Sequence, residues 1–101
     1  MHIYNVSTKI DFVIEESWKK WMLEEHIPQV MGTNCFVKYQ FVRVMDDEDK
    51  DGAVYAISYY FNNLDQFENY LANFADTLRK ETLGKWGNQM IAFRSLLEVI
   101  E

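Results

Sequence analysis

His26 is the side chain of this 101-residue chain best suited to acid–base work. An imidazole titrates near neutral pH and serves equally as general base or as ligand. On an ideal helix, turning about 100° per residue, it lies about 80° from the apolar stripe of Trp18 and Met22. That places it at the flank of a buried face. Pro28 has no N–H to donate, so it bends the helix about one turn upstream and loosens packing around His26. Tyr39, Arg43, Tyr55 and Tyr59 are its expected neighbours across the sheet, and Arg43 is a charge on an otherwise apolar face. Such a helix–sheet pocket suits a small anionic aromatic or keto acid. The predicted ligand-binding set is therefore Trp21, His26, Tyr39, Arg43 and Tyr59, with His26 as the candidate catalytic residue. The competing reading has His26 bonded to backbone, Arg43 paired with Glu24 or Glu25, and the pocket filled as core.

Other motifs carry less. Asp47, Asp49, Asp51 and Gly52 match the opening of a calcium loop. The twelfth position, which needs a bidentate glutamate, holds Ser58, and strand residues follow where a helix belongs. A solvated hairpin tip without a metal is expected. Cys35 is the only cysteine. It has no base beside it and reads as a small buried hydrophobe. There is no glycine-rich dinucleotide fingerprint, phosphate loop or nucleophile elbow, and no cofactor is expected. Trp18 and Trp21, and then Phe67, Tyr70 and Phe74, recur at helical spacing and read as packing.

The elements that must position these groups follow from periodicity. Residues 2–10 alternate as a first strand. A helix runs from an Asp11 cap past Pro28 and stops at Gly32-Thr33-Asn34. A second strand spans about 36–45, and a third, at 53–61, is apolar on both faces. Asn63 and Gln66 form a capping box for a second helix, which Gly84-Lys-Trp-Gly87 breaks. A fourth strand spans about 89–100. This order predicts an α+β, ferredoxin-like βαββαβ sandwich of one domain over residues 1–101. Its four-stranded antiparallel sheet has the order 4-1-3-2, with two helices on one face.

The bulkier alternation in each strand is assigned to the helices: Tyr4, Val6, Thr8 and Ile10; Val37, Tyr39, Phe41 and Arg43; Tyr55, Ile57, Tyr59 and Phe61; and Ile91, Phe93, Leu97 and Val99. The opposite face then carries Val42, Val44, Val54, Ala56, Tyr60, Ala92, Arg94 and Leu96. That face is too apolar for open water, so a second copy of the chain is expected to cover it. Arg94 would meet Asn5 or Glu98 inside that interface.

With 49% hydrophobic residues, 16% aromatic residues and a net charge of −6, the chain is apolar-rich and acidic. An acidic chain does not suit a phosphate backbone, so no nucleic-acid partner is expected. No apolar run is long enough to cross a bilayer, and no signal peptide precedes the first strand, so no membrane partner and a cytoplasmic location are expected.

Trp18-x-x-Trp21-Met22, His26-Ile27-Pro28-x-Val30, Cys35-Phe36 and Ala92-Phe93-Arg94-x-Leu96-Leu97-Glu98 together resemble a bacterial domain-of-unknown-function family (DUF4286-like). Its fold belongs to the dimeric α+β-barrel superfamily. That resemblance implies a small-molecule-binding homodimer, either a cofactor-free enzyme of monooxygenase or isomerase type or a non-catalytic ligand-sensing or protein-interaction module. It makes His26, Pro28 and Arg94 family-pattern residues. The haem-degrading branch pairs a strand-one Asn with a Trp and a His on helix two. Asn5 and Trp86 approach that pattern, but no histidine stands there.

Overall fold

A computed structural model describes residues 1–46 and 51–101. The chain forms β1 (His2–Asp11), α1 (Glu15–Trp21), α2 (Ile27–Met31), β2 (Lys38–Arg43), β3 (Gly52–Phe61), α3 (Leu64–Asn73), α4 (Ala75–Trp86) and β4 (Met90–Glu98). The strands make one antiparallel sheet in the order β2-β3-β1-β4, the predicted 4-1-3-2 read from its other edge. The helices pack on one face, giving the expected ferredoxin-like sandwich.

The first helical region is continuous but not uniform. A short 3-10 turn leads from β1 into α1, and Asp11 makes no side-chain cap bond there, contrary to expectation. Between α1 and α2, Met22–His26 widen into π geometry. Pro28 sits in the first turn of α2 and cannot donate to the carbonyl one turn back, and the helix widens where that bond is lost. The capping box holds: the Gln66 N–H donates to Asn63 Oδ1 at 3.1 Å, and Gln66 Oε1 accepts from the Asn62 N–H at 3.1 Å. The second helix is interrupted at Phe74 rather than at Gly84. It then runs through Gly84, whose added Cβ would meet nothing, and ends at Gly87 with φ 57°.

Gly52 has a structural reason unrelated to metal. A Cβ there would lie 2.2 Å from the Ile10 carbonyl oxygen, so only glycine fits where β3 begins beside β1. The calcium-loop reading rests on Asp47 and Asp49, which lie outside the described residues.

The core is aromatic. Trp18 and Phe61 are wholly buried, and Tyr4, Phe36, Tyr59, Phe67 and Tyr70 pack ring on ring at centroid distances of 4.9–6.5 Å. Cys35 is buried, as expected of a small hydrophobe.

Strand faces divide as predicted for β1, β2 and β3 but not for β4. Tyr39, Phe41 and Arg43 stand opposite Tyr59, Ile57 and Tyr55 on the helix side. Val42 pairs with Ala56, and Val44 is bonded to Val54, on the open side. On β4 the register sets Met90 opposite Ile10, Ala92 opposite Thr8, Arg94 opposite Val6 and Leu96 opposite Tyr4. Ala92, Arg94 and Leu96 therefore belong to the helix side, and Ile91, Phe93 and Leu97 to the open side, the reverse of the expected assignment. Both alternations of β4 contain apolar residues, so bulk alone does not set its phase. Asn5 meets Ser58 at 3.0 Å on the open side, not Arg94.

Candidate functional site

One cavity lies between the helices and the sheet, on the β1–β4 side. Its volume is about 40 Å³, and His26, Thr8, Tyr59, Thr82, Arg79 and Arg94 are its polar lining. Trp18, Met22, Val30, Ile57, Leu78 and Met90 supply much of the apolar wall. A cavity of this size holds a few waters. A groove of about 280 Å³ adjoins it and shares Arg79, Thr82, Met90, Ala92 and Arg94 with it. The deep chamber thus leads to an open groove between β4 and α4.

The polar groups arrive on several elements. The π turn carries His26, whose ring stacks on Trp21 with centroids 5.0 Å apart. α4 carries Arg79 and Thr82 in adjacent turns, and β4 carries Arg94 on its helix side. Thr82 Oγ1 lies 3.5 Å from His26 Nδ1 and donates its own proton to the Leu78 carbonyl at 2.9 Å. With that proton committed, the hydroxyl oxygen can only accept from the imidazole. The arrangement favours the Nδ1–H tautomer and leaves Nε2 with a free lone pair.

Burial, and secondarily the Arg94 guanidinium, hold the His26 pKa down from 6.5 to about 4. The ring is neutral at physiological pH, and the same burial and cation make it a weaker base than a free imidazole. Burial also raises the pKa values of Tyr59 and Tyr70, which stay protonated. Tyr59 lines the cavity, and its buried hydroxyl has no hydrogen-bond partner.

The His26 shift has a measurable sign. Between pH 6.5 and about 4 the unfolded chain holds a proton at this residue that the folded chain does not. Stability therefore falls as pH drops through that window and levels off below it. With the ring partly exposed, the contribution is on the order of 2 kcal/mol. Urea unfolding at pH 7 and pH 4.5 is expected to show wild type losing more stability than His26→Gln by about that amount. Equal losses would mean that the imidazole is not held neutral.

Of the predicted ligand set, His26 and Tyr59 line the cavity, while Trp21 stacks on His26 without lining it. The structure does not bring Arg43 or Tyr39 there. Arg43 lies toward the β2 edge, 3.7 Å from Glu15, whose carboxylate also accepts from the Tyr55 hydroxyl at 2.6 Å. Burial first, and then this bond to Glu15, push the Tyr55 pKa up to about 12. Tyr39 is 44% exposed. Neither residue lines the cavity, because β2 and β4 occupy opposite edges of the sheet and His26 points its chemistry toward the β4 side. The cation beside His26 is Arg94. Arg79, Thr82 and Thr8 were not anticipated. Ala75 and Leu78, expected on the inward stripe, are continued by Thr82, and Trp86 joins them because the second helix runs past Gly84.

Asn5 and Trp86 do not reconstruct a haem-degrading site: Asn5 faces the open side with Ser58, and no histidine accompanies Trp86. Among the described residues no three His, Cys, Asp or Glu side chains gather as a metal site, and no helix is long and apolar enough to cross a membrane.

Solved structures share this fold. A mutant of SnoaB, a cofactor-independent oxygenase from Streptomyces nogalater, superposes with a TM-score of 0.67 at 15% identity, covering 99% of this chain and 94% of that one. An ethyl tert-butyl ether d family protein from Bacillus halodurans gives 0.69 at 9% identity, covering 99% and 100%. A dimeric ferredoxin-like protein from an uncultured marine organism gives 0.65 at 13% identity, covering 99% and 96%. At these identities the likeness is one of fold. No curated protein matches the chain. A family model does match, over residues 1–100, so the chain belongs to the family described as Domain of unknown function (DUF4286).

Proposed function

We propose that the protein is a small-molecule-binding homodimer of the α+β-barrel kind, with cofactor-free chemistry of monooxygenase or isomerase type centred on His26. The observation that carries the reading is the neutral imidazole. It is oriented by Thr82 and lines a cavity in which the Tyr59 hydroxyl has no partner. His26 Nε2 would take a proton from an acidic C–H or O–H of the bound molecule, and the Tyr59 hydroxyl would donate to an oxygen of the anion that forms. The shared fold of a cofactor-independent oxygenase supports the class.

The second copy covers the open sheet face. Val42, Ile91, Phe93 and Leu97 are all more than 40% exposed there, and Val44, Val54, Ala56 and Tyr60 continue the same surface. A similarly folded neighbour is described as dimeric.

A panel of enolisable aromatic and keto acids in deuterated buffer tests the chemistry. Wild type is expected to accelerate deuterium entry at the acidic carbon of at least one member. His26→Ala should slow that exchange by about 10²–10⁴-fold while costing less than about 1 kcal/mol in stability. Unfolding at a cost of several kcal/mol would mark His26 as a core residue instead. The small volume of the deep chamber favours a second reading, a non-catalytic ligand sensor, in which the same acids bind without exchange.

A further inference from the structure

Arg79 and Arg94 stand together at the rim of the His26 cavity, and neither meets a carboxylate among the described residues. We propose that the pocket's ligand is a carboxylic acid with an apolar body, its carboxylate held by Arg79 and Arg94 at the mouth of the His26 cavity and its body lying in the adjoining groove. This rests on the pocket reading above and narrows it to one class of ligand.

The chain has 16 acidic residues against 10 lysines and arginines, so carboxylates are plentiful. Three other cations find them: Lys19 meets Glu16, Lys80 meets Asp76 and Arg43 meets Glu15, whereas Lys38 and Lys85 lie over the rings of Tyr60 and Trp86. Arg79 instead donates to the neutral Tyr4 hydroxyl at 3.0 Å, and Arg94 makes no ion pair among the described residues. The two are gathered in one place. Both line the cavity and the adjoining groove, and both act electrostatically on the Tyr70 phenol. Two like charges side by side repel, and an anion between them relieves the repulsion. Guanidinium forks match a carboxylate with two parallel hydrogen bonds each. Beside them the groove is lined by Leu83, Met90 and Ala92, which suits hydrocarbon rather than a second charge.

The probes are phenylacetate, its neutral isostere 2-phenylacetamide, and inorganic phosphate, titrated calorimetrically into the purified protein. Arg79→Gln and Arg94→Gln alter exposed side chains, and Arg43→Gln serves as a control outside the pocket. Phenylacetate is expected to bind at least tenfold more tightly than the amide, and either rim variant should weaken it at least tenfold while Arg43→Gln leaves it unchanged. Amide binding as tight as the acid would overturn the carboxylate assignment and leave the pocket standing. So would acid binding indifferent to both rim variants, or phosphate competing at the same concentration as phenylacetate. If none of the three probes binds, the assignment and the pocket reading fall together.

Discussion

A Phe93→Asp variant is expected to run as a monomer, or to precipitate, at concentrations where the wild type is a dimer. Phe93 is 67% exposed and stands at the centre of β4's open side, between Ile91 at 57% and Leu97 at 42%. Opposite it on β1 is Ser7, and the same face continues through Ala56 and Val42 to the far edge. Four strands with helices on one side leave this whole surface without cover. Two copies joined face to face would bury on the order of 1,500–2,500 Å² in total, the range of stable homodimers. A two-fold axis repeats each residue, so one substitution introduces two unpaired carboxylates into the same interior. Ala56→Arg, at the middle of the face, should act likewise. Light scattering at micromolar concentration reads the result. A monomeric wild type, or a dimeric Phe93→Asp, would mean that the open face is not the interface.

Trp18→Ala is expected to cost about 3–5 kcal/mol of folding free energy, enough to leave much of the chain unfolded at physiological temperature. The indole is wholly buried, packed against Tyr55 at 5.2 Å and Phe41 at 5.8 Å between ring centroids. It ties α1 to the β2–β3 half of the sheet and forms part of the cavity wall. Its Nε1 has no hydrogen-bond partner, so the substitution removes dispersion and hydrophobic burial without orphaning a second polar group. Trp18→Phe, which keeps most of that contact, should cost well under half as much. Chemical unfolding of the two variants measures the difference, and a small loss for Trp18→Ala would show that the site collapses to fill the space.

The sheet order, the helix on each side of the β2–β3 hairpin and the aromatic core were legible because each rests on a strong period. β3 alternates Tyr55, Ile57, Tyr59 and Phe61 against smaller residues, and only one phase buries the rings. β4 offers no such contrast. Ile91 and Phe93 look more suited to a core than Ala92 and Arg94, yet the ladder to β1 turns them outward. Partner exclusion is invisible to a rule that judges one strand at a time. The same inversion hid the site. With Arg94 assigned to the open face, Arg43 was the only cation left for His26, and it stands on the wrong edge of the sheet. Glycine misled once more at Gly84, where an exposed helix tolerates it at a cost of about 1 kcal/mol against alanine. Ending the helix there left Trp86 off its inward stripe.

The inward residues of the first helical region fall at Ile14, Trp18, Met22, Ile27 and Val30. The steps are four, four, five and three, and the step of five is the wide turn ahead of Pro28. An unbroken α-helix would bring residue 25 or 26 inward after Met22 and send Ile27 toward solvent. The extra residue delays the phase, so Ile27 returns to the core, Glu25 stays in water and His26 stops at the boundary. The imidazole therefore owes its position to a count along the backbone rather than to the affinity of its own ring. A one-residue deletion within the turn would restore a step of four from Met22 to Ile27 and set His26 three residues after Met22, drawing the imidazole from the boundary onto the buried stripe.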